Sequence, residues 1–294
     1  MKNLLQNKQV QGELIMVFEN MLWALFPIMI ILSISFVPPI FALGISLLFA
    51  AGFMGVVLTV RGEWHQAKVG GVMRDILAST FLISVLFYLL FFIGLKSTSA
   101  GNASIMALME VFFTMLILGL WKKEKQTLTS AGGGALMVAG AVLVLFHGEF
   151  SINNGDFIIL LATAMCPAGN YFMKRARKKV GTVYILFVRS LIAGMFLLGV
   201  SFFVEETPVA LEVYGSIWFL LINGVVLLGF SKILWVEAIH RISVTKAISL
   251  ITLGPPFTLI FAFFILGEVP TVWQIAGFVP IAVGVWVVTE LRRV

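Results

Sequence analysis

Four charged side chains interrupt long apolar stretches of this sequence. Glu110 lies midway along one stretch, while Glu19, Arg189 and Lys232 each lie about two helical turns from a stretch end, if the stretches are helical. A charge held within hydrocarbon is unfavourable, so intramembrane charges usually bind a ligand, carry a proton or pair with one another. These four residues are therefore the first candidates for a functional site.

Glu110 and Lys232 carry opposite charges that suit opposite ends of one small molecule. Glu110 could bind the ammonium group of a substrate or carry a proton; the alternative is a protonated carboxyl bonded to a neighbouring helix. Lys232 could bind a substrate carboxylate; the alternatives are extension toward the interface and a pair with Glu237. Together Glu110 and Lys232 predict a site for a zwitterion.

Arg189 and Glu19 are predicted to lie at a similar depth from the same face of the membrane. Because a buried arginine is stabilised by a carboxylate, we expect a structural or gating ion pair between them. Arg189 could instead extend toward the interface.

Aromatic and amide side chains on the same stretches complete the candidate site. Trp23, Tyr88 and Trp235 could form an aromatic wall around a substrate, although each such residue taken singly more often packs against lipid or protein. Asn102 is a candidate ligand for the substrate, and it could equally bond another helix.

The elements that carry these residues are apolar and long enough to cross a bilayer. The chain has 294 residues, 60% hydrophobic and 12% charged, with a mean hydropathy of +1.06. A soluble domain is about half apolar and a quarter charged, and a spanning helix takes about 20 apolar residues. We predict an all-α integral membrane protein with ten transmembrane helices, at Glu13–Ser35, Ile40–Val60, Asp75–Leu95, Asn102–Trp121, Leu128–Phe146, Asp156–Phe172, Val183–Val204, Val213–Ile239, Ser243–Leu266 and Thr271–Leu291.

Lysine and arginine concentrate in alternate loops of this plan. One side receives the termini and most basic runs, including residues 174–179, and the other side receives Lys96 with several glutamates. By the positive-inside rule both termini are cytoplasmic and the protein is integral to the cytoplasmic (inner) membrane. The net charge of +6 therefore indicates orientation rather than a nucleic-acid partner.

The sequence repeats itself at an offset of 144 residues, the distance from Glu124 to Glu268. Further matches across this offset include Ser99 with Ser243, Phe113-Thr114 with Phe257-Thr258, Thr127 with Thr271, Gly133 with Gly277 and Gly140 with Gly284. We divide the chain into a first repeat, residues 1–147, and a second, residues 148–294. Five helices per repeat is an odd number, so the repeats must be inverted about a central cavity, an architecture typical of secondary transporters.

These features resemble the EamA family of the drug/metabolite transporter superfamily. The resemblance rests on the inverted plan, Trp23, the small residues 99–103 that open helix 4, and the turns Glu124-x-x-Thr127 and Glu268-x-x-Thr271. It implies a basket of ten helices in which helices 1, 3, 4, 6, 8 and 9 line the cavity, with helices 5 and 10 behind. One departure is that the repeat partner of Glu110 is Gly254.

We expect a secondary transporter that exports small metabolites, amino acids in particular, by alternating access. Its partners are a small-molecule substrate and the lipid bilayer; proton coupling through Glu110 and uncoupled facilitation fit the residues equally well, and oligomeric state has no signal. The alternative within transport is a multidrug or cationic exporter.

A membrane-embedded transferase is a more remote alternative. Such an enzyme needs a cluster of acidic metal ligands, whereas Asp75 and Asp156 stand alone and Cys166 is the single cysteine. We therefore expect no enzyme activity, no cofactor and no metal.

Overall fold

A computed structural model describes residues 8–122, 128–146, 153–242 and 244–290. Regular structure within these ranges is helical, without a strand. The turn at Glu124 and Thr127, and Ser243, lie outside the described residues. The α-helical segments and their wide turns, with every part given where one is broken, are α1 (Lys8–Trp23, Phe26–Ile34), α2 (Pro39–Arg61), α3 (Met73–Ser79, Thr80–Phe87, Tyr88–Gly94), α4 (Ala100–Ala107, Met109–Lys122), α5 (Leu128–Phe146), α6 (Asn154–Thr163, Cys166–Ala176), α7 (Thr182–Val204), α8 (Ala210–Leu221, Ile222–Phe230, Ser231–Ile239), α9 (Val244–Ile251, Gly254–Leu266) and α10 (Val272–Glu290). A short 3-10 helix, Glu63–Lys68, follows α2.

Eight of the described helices are long and apolar enough to cross a membrane. Two shorter apolar helices, Ala131–Leu145 within α5 and Gly254–Leu266 within α9, accompany them. The prediction of an all-helical membrane protein is therefore confirmed.

Three segments break beside a proline. In α1, α6 and α9 the helix that follows the break has a proline as its second residue: Pro27, Pro167 and Pro255. Proline has no N–H and clashes with the preceding turn, so carbonyl groups lose their helical partners. One of these, Ala24 O in α1, accepts a hydrogen bond from Thr258 Oγ1 of α9 at 3.1 Å, which ties the broken turn to a neighbouring helix.

The middle parts of α3 and α8 form wider, π-helical turns. They cover Thr80–Phe87 and Ile222–Phe230, and they end immediately before Tyr88 and Ser231. A wide turn rotates the side chains that follow it relative to a regular α-helix, and such turns often occur at functional sites. Here they determine the direction of Tyr88 and Lys232.

Close helix pairs frame the bundle. A Cβ atom built on Gly140 of α5 would lie 2.4 Å from Gly277 O of α10, and one built on Gly44 of α2 would lie 2.9 Å from Leu198 N of α7. Glycine therefore lets both pairs approach at backbone distance. The main hydrophobic core lies between the pairs and includes the fully buried Phe26 and Phe92.

Loops meet at both ends of the bundle. At what we name the basic end, marked by Arg61, Arg175 and Arg241, the ion pair of Arg175 with Asp75 has an N–O distance of 3.4 Å. The opposite end, which we name the Glu268 end, carries Lys96 and Glu268 in its loops.

Candidate functional site

A cavity of about 260 Å³ lies inside the bundle. Its lining comes from α1, α3, α4, α6, α7, α8 and α9, with Leu47 from α2. No residue of α5 or α10 contributes among those described. The resemblance implied six of these helices; it missed α7, which contributes Thr182, Leu186, Arg189 and Ser190.

The cavity wall on α1 and α8 carries an ion pair. Lys232 Nζ lies 3.6 Å from Glu19 Oε1, and Ser231 Oγ donates a hydrogen bond to the same oxygen at 2.8 Å. Lys232 Nζ also lies 3.2 Å from the centroid of the Trp23 ring, a cation–π geometry that stabilises a partly desolvated ammonium. Glu19 is 2% exposed, so the carboxylate and the ammonium satisfy each other within the wall.

The predicted pair between Glu19 and Arg189 is wrong in its partners. Glu19 bonds Lys232 and Ser231, while Arg189 donates from Nε and Nη2 to Ser84 Oγ at 3.2 and 3.1 Å and from Nη1 to Met173 Sδ at 3.1 Å. Ser84 lies within the wide turn of α3, and Lys232 lies two residues beyond the wide turn of α8. Equal depth in two helices could not reveal these partners.

Glu110 lines the cavity beside α6. Asn170 Nδ2 donates to Glu110 Oε1 at 2.8 Å, and Cys166 of the same helix α6 also lines the cavity. Glu110 lies in the second part of α4, just after the break at Leu108. Its side chain therefore does not continue the helical phase of the first part, Ala100–Ala107. Its hydrogen-bond partner Asn170 is uncharged, and Lys232 lies within electrostatic range of its carboxyl group.

Aromatic rings cover the deeper wall. Trp23 stacks on Phe26 at a centroid distance of 4.3 Å, and Tyr88 meets Phe26 edge-on at 5.8 Å. Trp235 also lines the cavity. Tyr88 lies within electrostatic range of both Arg189 and Glu110.

Asn102 does not line the cavity, contrary to the prediction. It is 2% exposed, its Nδ2 donates to Asp156 Oδ2 at 2.8 Å, and its Oδ1 accepts from Gln274 Nε2 at 2.8 Å. Gln274 also donates to Ser99 Oγ at 3.1 Å, and Thr98 donates to the other oxygen of Asp156. The helix N-terminus at Ala100 points Asn102 across the bundle end, where two polar partners use its whole amide.

Two carboxylates tie further backbone groups at the Glu268 end. Both oxygens of Glu268 accept from Ala100 N, at 3.2 and 3.1 Å, and Glu205 accepts from Ile40 N and Phe41 N, each at 2.9 Å. Carboxylates satisfy the free N–H groups at a helix start. Burial raises the pKa of Glu268, and the backbone hydrogen bond from Ala100 partly opposes that rise.

The cavity continues toward the basic end. A second cavity of about 360 Å³ adjoins it, and three residues line both: Thr182, Leu186 and Val236. Arg61, Arg177 and His240 line its outer part. The polar groups named at the Glu268 end line neither cavity, whereas residues of the basic end line the second one.

Several site residues escaped the sequence analysis. Ser84 and Ser231 are short hydroxyls inside apolar helices, and Gln274 lies three residues beyond Thr271. Gln274 is the one with a usable signal, because a polar amide early in an apolar helix needs a partner. Among the described residues, no group of three or more His, Cys, Asp and Glu side chains could hold a metal ion.

An all-helical membrane bundle that surrounds a cavity with buried charges of both signs is typical of small-molecule transporters. The sequence model of the EamA-like transporter family matches residues 10–146 and 153–290. The chain therefore belongs to the EamA-like transporter family, and it is an integral membrane transporter. The resemblance drawn from the sequence is confirmed.

Individual relatives agree with this membership. The chain is 23% identical to the uncharacterized transporter YoaV of Bacillus subtilis (strain 168), over 92% of this chain and 94% of that one. It is 31% identical to an uncharacterized transporter of Methanothermobacter thermautotrophicus, over 69% of this chain and 61% of that one. A "probable terminal-alkyne amino-acid exporter" of Streptantibioticus cattleyicolor is 24% identical over 60% of each chain.

A solved crystal structure shares the fold. It superposes with a TM-score of 0.65 at 16% identity and covers 97% of this chain and 99% of its own. At this identity the likeness bears on the fold alone.

Proposed function

We propose that this transporter exports small metabolites, and amino acids in particular, by alternating access. The observation that carries the proposal is a cavity whose wall holds Glu110 and Arg189, charges of opposite sign, beside the neutralised pair of Glu19 and Lys232. A molecule that carries both an ammonium and a carboxylate complements such a wall. The name of the relative from Streptantibioticus cattleyicolor points to the same class of substrate.

The contacts between α5 and α10 support two inverted repeats, residues 1–147 and 148–294. A Cβ atom built on Gly133 would contact Gly284 O, and one built on Gly277 would contact Gly140 O. At the repeat offset of 144, Gly277 is the counterpart of Gly133, and Gly140 is the counterpart of Gly284. The two contacts are therefore the same contact with the roles of the two helices exchanged. Such reciprocity is expected of a two-fold axis in the membrane plane, which is the symmetry of inverted repeats.

The contacts between α2 and α7 repeat this reciprocity. Gly44 packs against Leu198, and Gly194 packs against Leu48. At an offset of 150 residues, Gly194 is the counterpart of Gly44 and Leu48 that of Leu198, so these two contacts are also related by exchange of the helices. The helices predicted to be repeat partners are also irregular alike: α1 with α6, α3 with α8, and α4 with α9. These agreements favour ten membrane crossings arranged as five and five.

The orientation that we propose places the basic end in the cytoplasm. Lysine and arginine concentrate there, as the positive-inside rule requires for the cytoplasmic side. With both termini cytoplasmic, the accessible cavity faces the cytosol, where an exporter loads its substrate. Closure at the Glu268 end then separates the site from the outside.

An efflux assay tests the function. Proteoliposomes are loaded with a mixture of isotopically labelled amino acids, and release is compared for the wild type, Glu110→Gln and the control Glu206→Gln, an exposed residue that lines neither cavity. We expect release of at least one amino acid from the wild type and the control, and at least a tenfold slower release from Glu110→Gln. The blank is a set of protein-free liposomes loaded with the same mixture. If these release every amino acid as fast as the wild-type proteoliposomes do, amino-acid transport is excluded.

The same vesicles distinguish coupled from uncoupled transport. If Glu110 carries the coupled proton, an imposed pH gradient drives uphill flux in the wild type, and Glu110→Gln abolishes that uphill component. Proton-driven flux that persists in this variant would remove Glu110 from the coupling.

Export of lipophilic cations is the second candidate. The aromatic wall of Trp23, Tyr88 and Trp235, together with the carboxylate of Glu110, favours it. The guanidinium of Arg189 on the same wall disfavours it. Tetraphenylphosphonium in the efflux assay distinguishes the two, since a cation exporter would release it faster than any amino acid.

A further inference from the structure

Of the four charged side chains of the cavity, Glu19 and Lys232 form an ion pair, while Glu110 and Arg189 have no ion-pair partner among the described residues. Glu19 and Lys232 neutralise each other at 3.6 Å, and the Trp23 ring covers the ammonium. A second carboxylate at Lys232 would have to compete with Glu19 for the same ammonium. Lys232 is therefore poorly placed to bind the carboxylate of a substrate, despite the prediction from the sequence.

Arg189 has no charged partner in the described part of the chain. It is 4% exposed, and its partners are a hydroxyl and a thioether, Ser84 Oγ and Met173 Sδ. Three of its five N–H groups are used, so one remains on each terminal nitrogen. A fork of two N–H groups matches the two oxygens of a carboxylate, and a buried charge without a counter-ion is unfavourable by several kcal/mol.

Glu110 is the complementary case. Its hydrogen-bond donor Asn170 is uncharged, and Lys232 lies within electrostatic range of Glu110 but forms no ion pair with it among the described residues. A carboxylate offers about four acceptor positions, so capacity remains for the N–H groups of an ammonium. Glu110 and Arg189 lie on α4 and α7 of one cavity, and Tyr88 lies within electrostatic range of both.

We propose that the carboxylate of an amino-acid substrate binds Arg189, that its ammonium binds Glu110, and that Glu19 and Lys232 form a fixed part of the wall. This assignment rests on the proposed function and deepens it. A zwitterion would neutralise two buried charges at once, whereas an amine or a carboxylate alone would leave one of them without a counter-ion. Recognition of both groups therefore follows from the cavity itself.

Matched ligands test the assignment on the purified full chain in detergent. The first set is L-leucine, L-leucinamide without the carboxylate, and 4-methylpentanoate without the ammonium; the second is L-phenylalanine, its amide and 3-phenylpropanoate. Affinity is measured from the concentration dependence of the apparent melting temperature, because a ligand of the native state raises it. For the wild type we expect at least one amino acid to bind about 10- to 100-fold more tightly than both of its analogues, the range that corresponds to one charged hydrogen bond of about 1.5–3 kcal/mol.

Variants then assign each group. Arg189→Gln should bind the amino acid no more tightly than its amide. Glu110→Gln should bind the amino acid no more tightly than the analogue without the ammonium, 4-methylpentanoate or 3-phenylpropanoate. The double variant Glu19→Gln with Lys232→Gln removes the ion pair as a unit and should keep both preferences. Arg189→Lys, which retains the charge without the fork, should recover part of the preference, and this separates binding from a loss of folding.

Three results would overturn the assignment. If Lys232→Gln abolishes the preference for the carboxylate and Arg189→Gln does not, Lys232 is the carboxylate ligand and the proposed function still stands. If the wild type binds the amide as tightly as the acid, no residue recognises the carboxylate. If neither amino acid binds, the assignment fails for apolar amino acids, and the efflux assay above decides separately on the proposed function.

Discussion

The glycine contact between α5 and α10 allows a sharp test of the bundle. Alanine at position 140 would place its Cβ 2.4 Å from Gly277 O, 2.7 Å from Ile281 Cγ1 and 3.0 Å from Ile281 N. Ordinary contact begins at 3.4 Å, so the shortest distance is about 1 Å too small. Two of the three atoms belong to the backbone and cannot rotate away, which means that α10 itself must move.

The matched control lies on the same helix. Nothing lies within 4 Å of a Cβ atom at Gly132, so alanine there keeps only its better helix propensity, worth up to about 1 kcal/mol. Overpacking costs about 1–3 kcal/mol, and a clash with backbone belongs at the upper end of that range. We therefore expect Gly140→Ala to be about 3 kcal/mol less stable than Gly132→Ala, after allowing for the same propensity gain in both.

Thermal unfolding in a mild detergent measures this difference. For a chain of this size about 3 kcal/mol corresponds to an apparent Tm lower by roughly 5 °C or more. Gly277→Ala provides a second arm, since its Cβ would lie 2.7 Å from Gly140 O and the loss should be similar. Equal melting temperatures for Gly140→Ala and Gly132→Ala would refute the close packing of α5 on α10.

Three further perturbations follow from the site. Glu19→Gln should lower stability by about 2 kcal/mol, less than for a fully buried pair because the Lys232 side chain is 22% exposed, and adding Lys232→Met should restore most of the apparent Tm. Gln274→Leu leaves Asn102 Oδ1 without its described donor, so we expect a loss of about 1–3 kcal/mol in the same melting assay; an unchanged Tm would contradict the polar closure. Burial raises the pKa of Glu268 above the ordinary 4.5, so the folded protein holds this proton more tightly than the unfolded chain does. The stability of the fold should therefore fall as pH rises through that raised pKa, Glu268→Gln should remove this dependence, and the pH profile of the apparent Tm measures both.

Much of the helical plan is readable from the sequence, because length and hydropathy are sufficient to locate apolar helices. Prolines also predict three of the breaks, in α1, α6 and α9. The wide turn of α3 has no such signal: Thr80–Phe87 contains neither proline nor glycine. A wide turn changes the helical phase of all that follows, and phase decides which neighbour a side chain meets.

The partners of the charged residues were therefore beyond the sequence. Glu19 bonds Ser231 across 212 residues of chain, and no local spacing encodes that contact. Asn102 was a reasonable polar candidate, but its bonds to Asp156 and Gln274 depend on how α4, α6 and α10 meet at one end. Polarity in an apolar helix predicted that a partner exists, while only the packing identified it.

Alternating access requires a closed end that holds and can also be released. At the Glu268 end, Asn102 bonds Asp156, Gln274 bonds Asn102 and Ser99, and Glu268 bonds Ala100. A typical hydrogen bond contributes about 1 kcal/mol net, so this closure is worth a few kcal/mol. A free-energy difference of that size leaves the state with an open Glu268 end populated at about 0.1–10%. A ligand that binds the open state more tightly, by a similar free energy, can therefore make that state the major one. In the binding mode proposed above, the buried charges of Glu110 and Arg189 would supply such affinity, because a zwitterion that neutralises both would bind best in the state that brings them together.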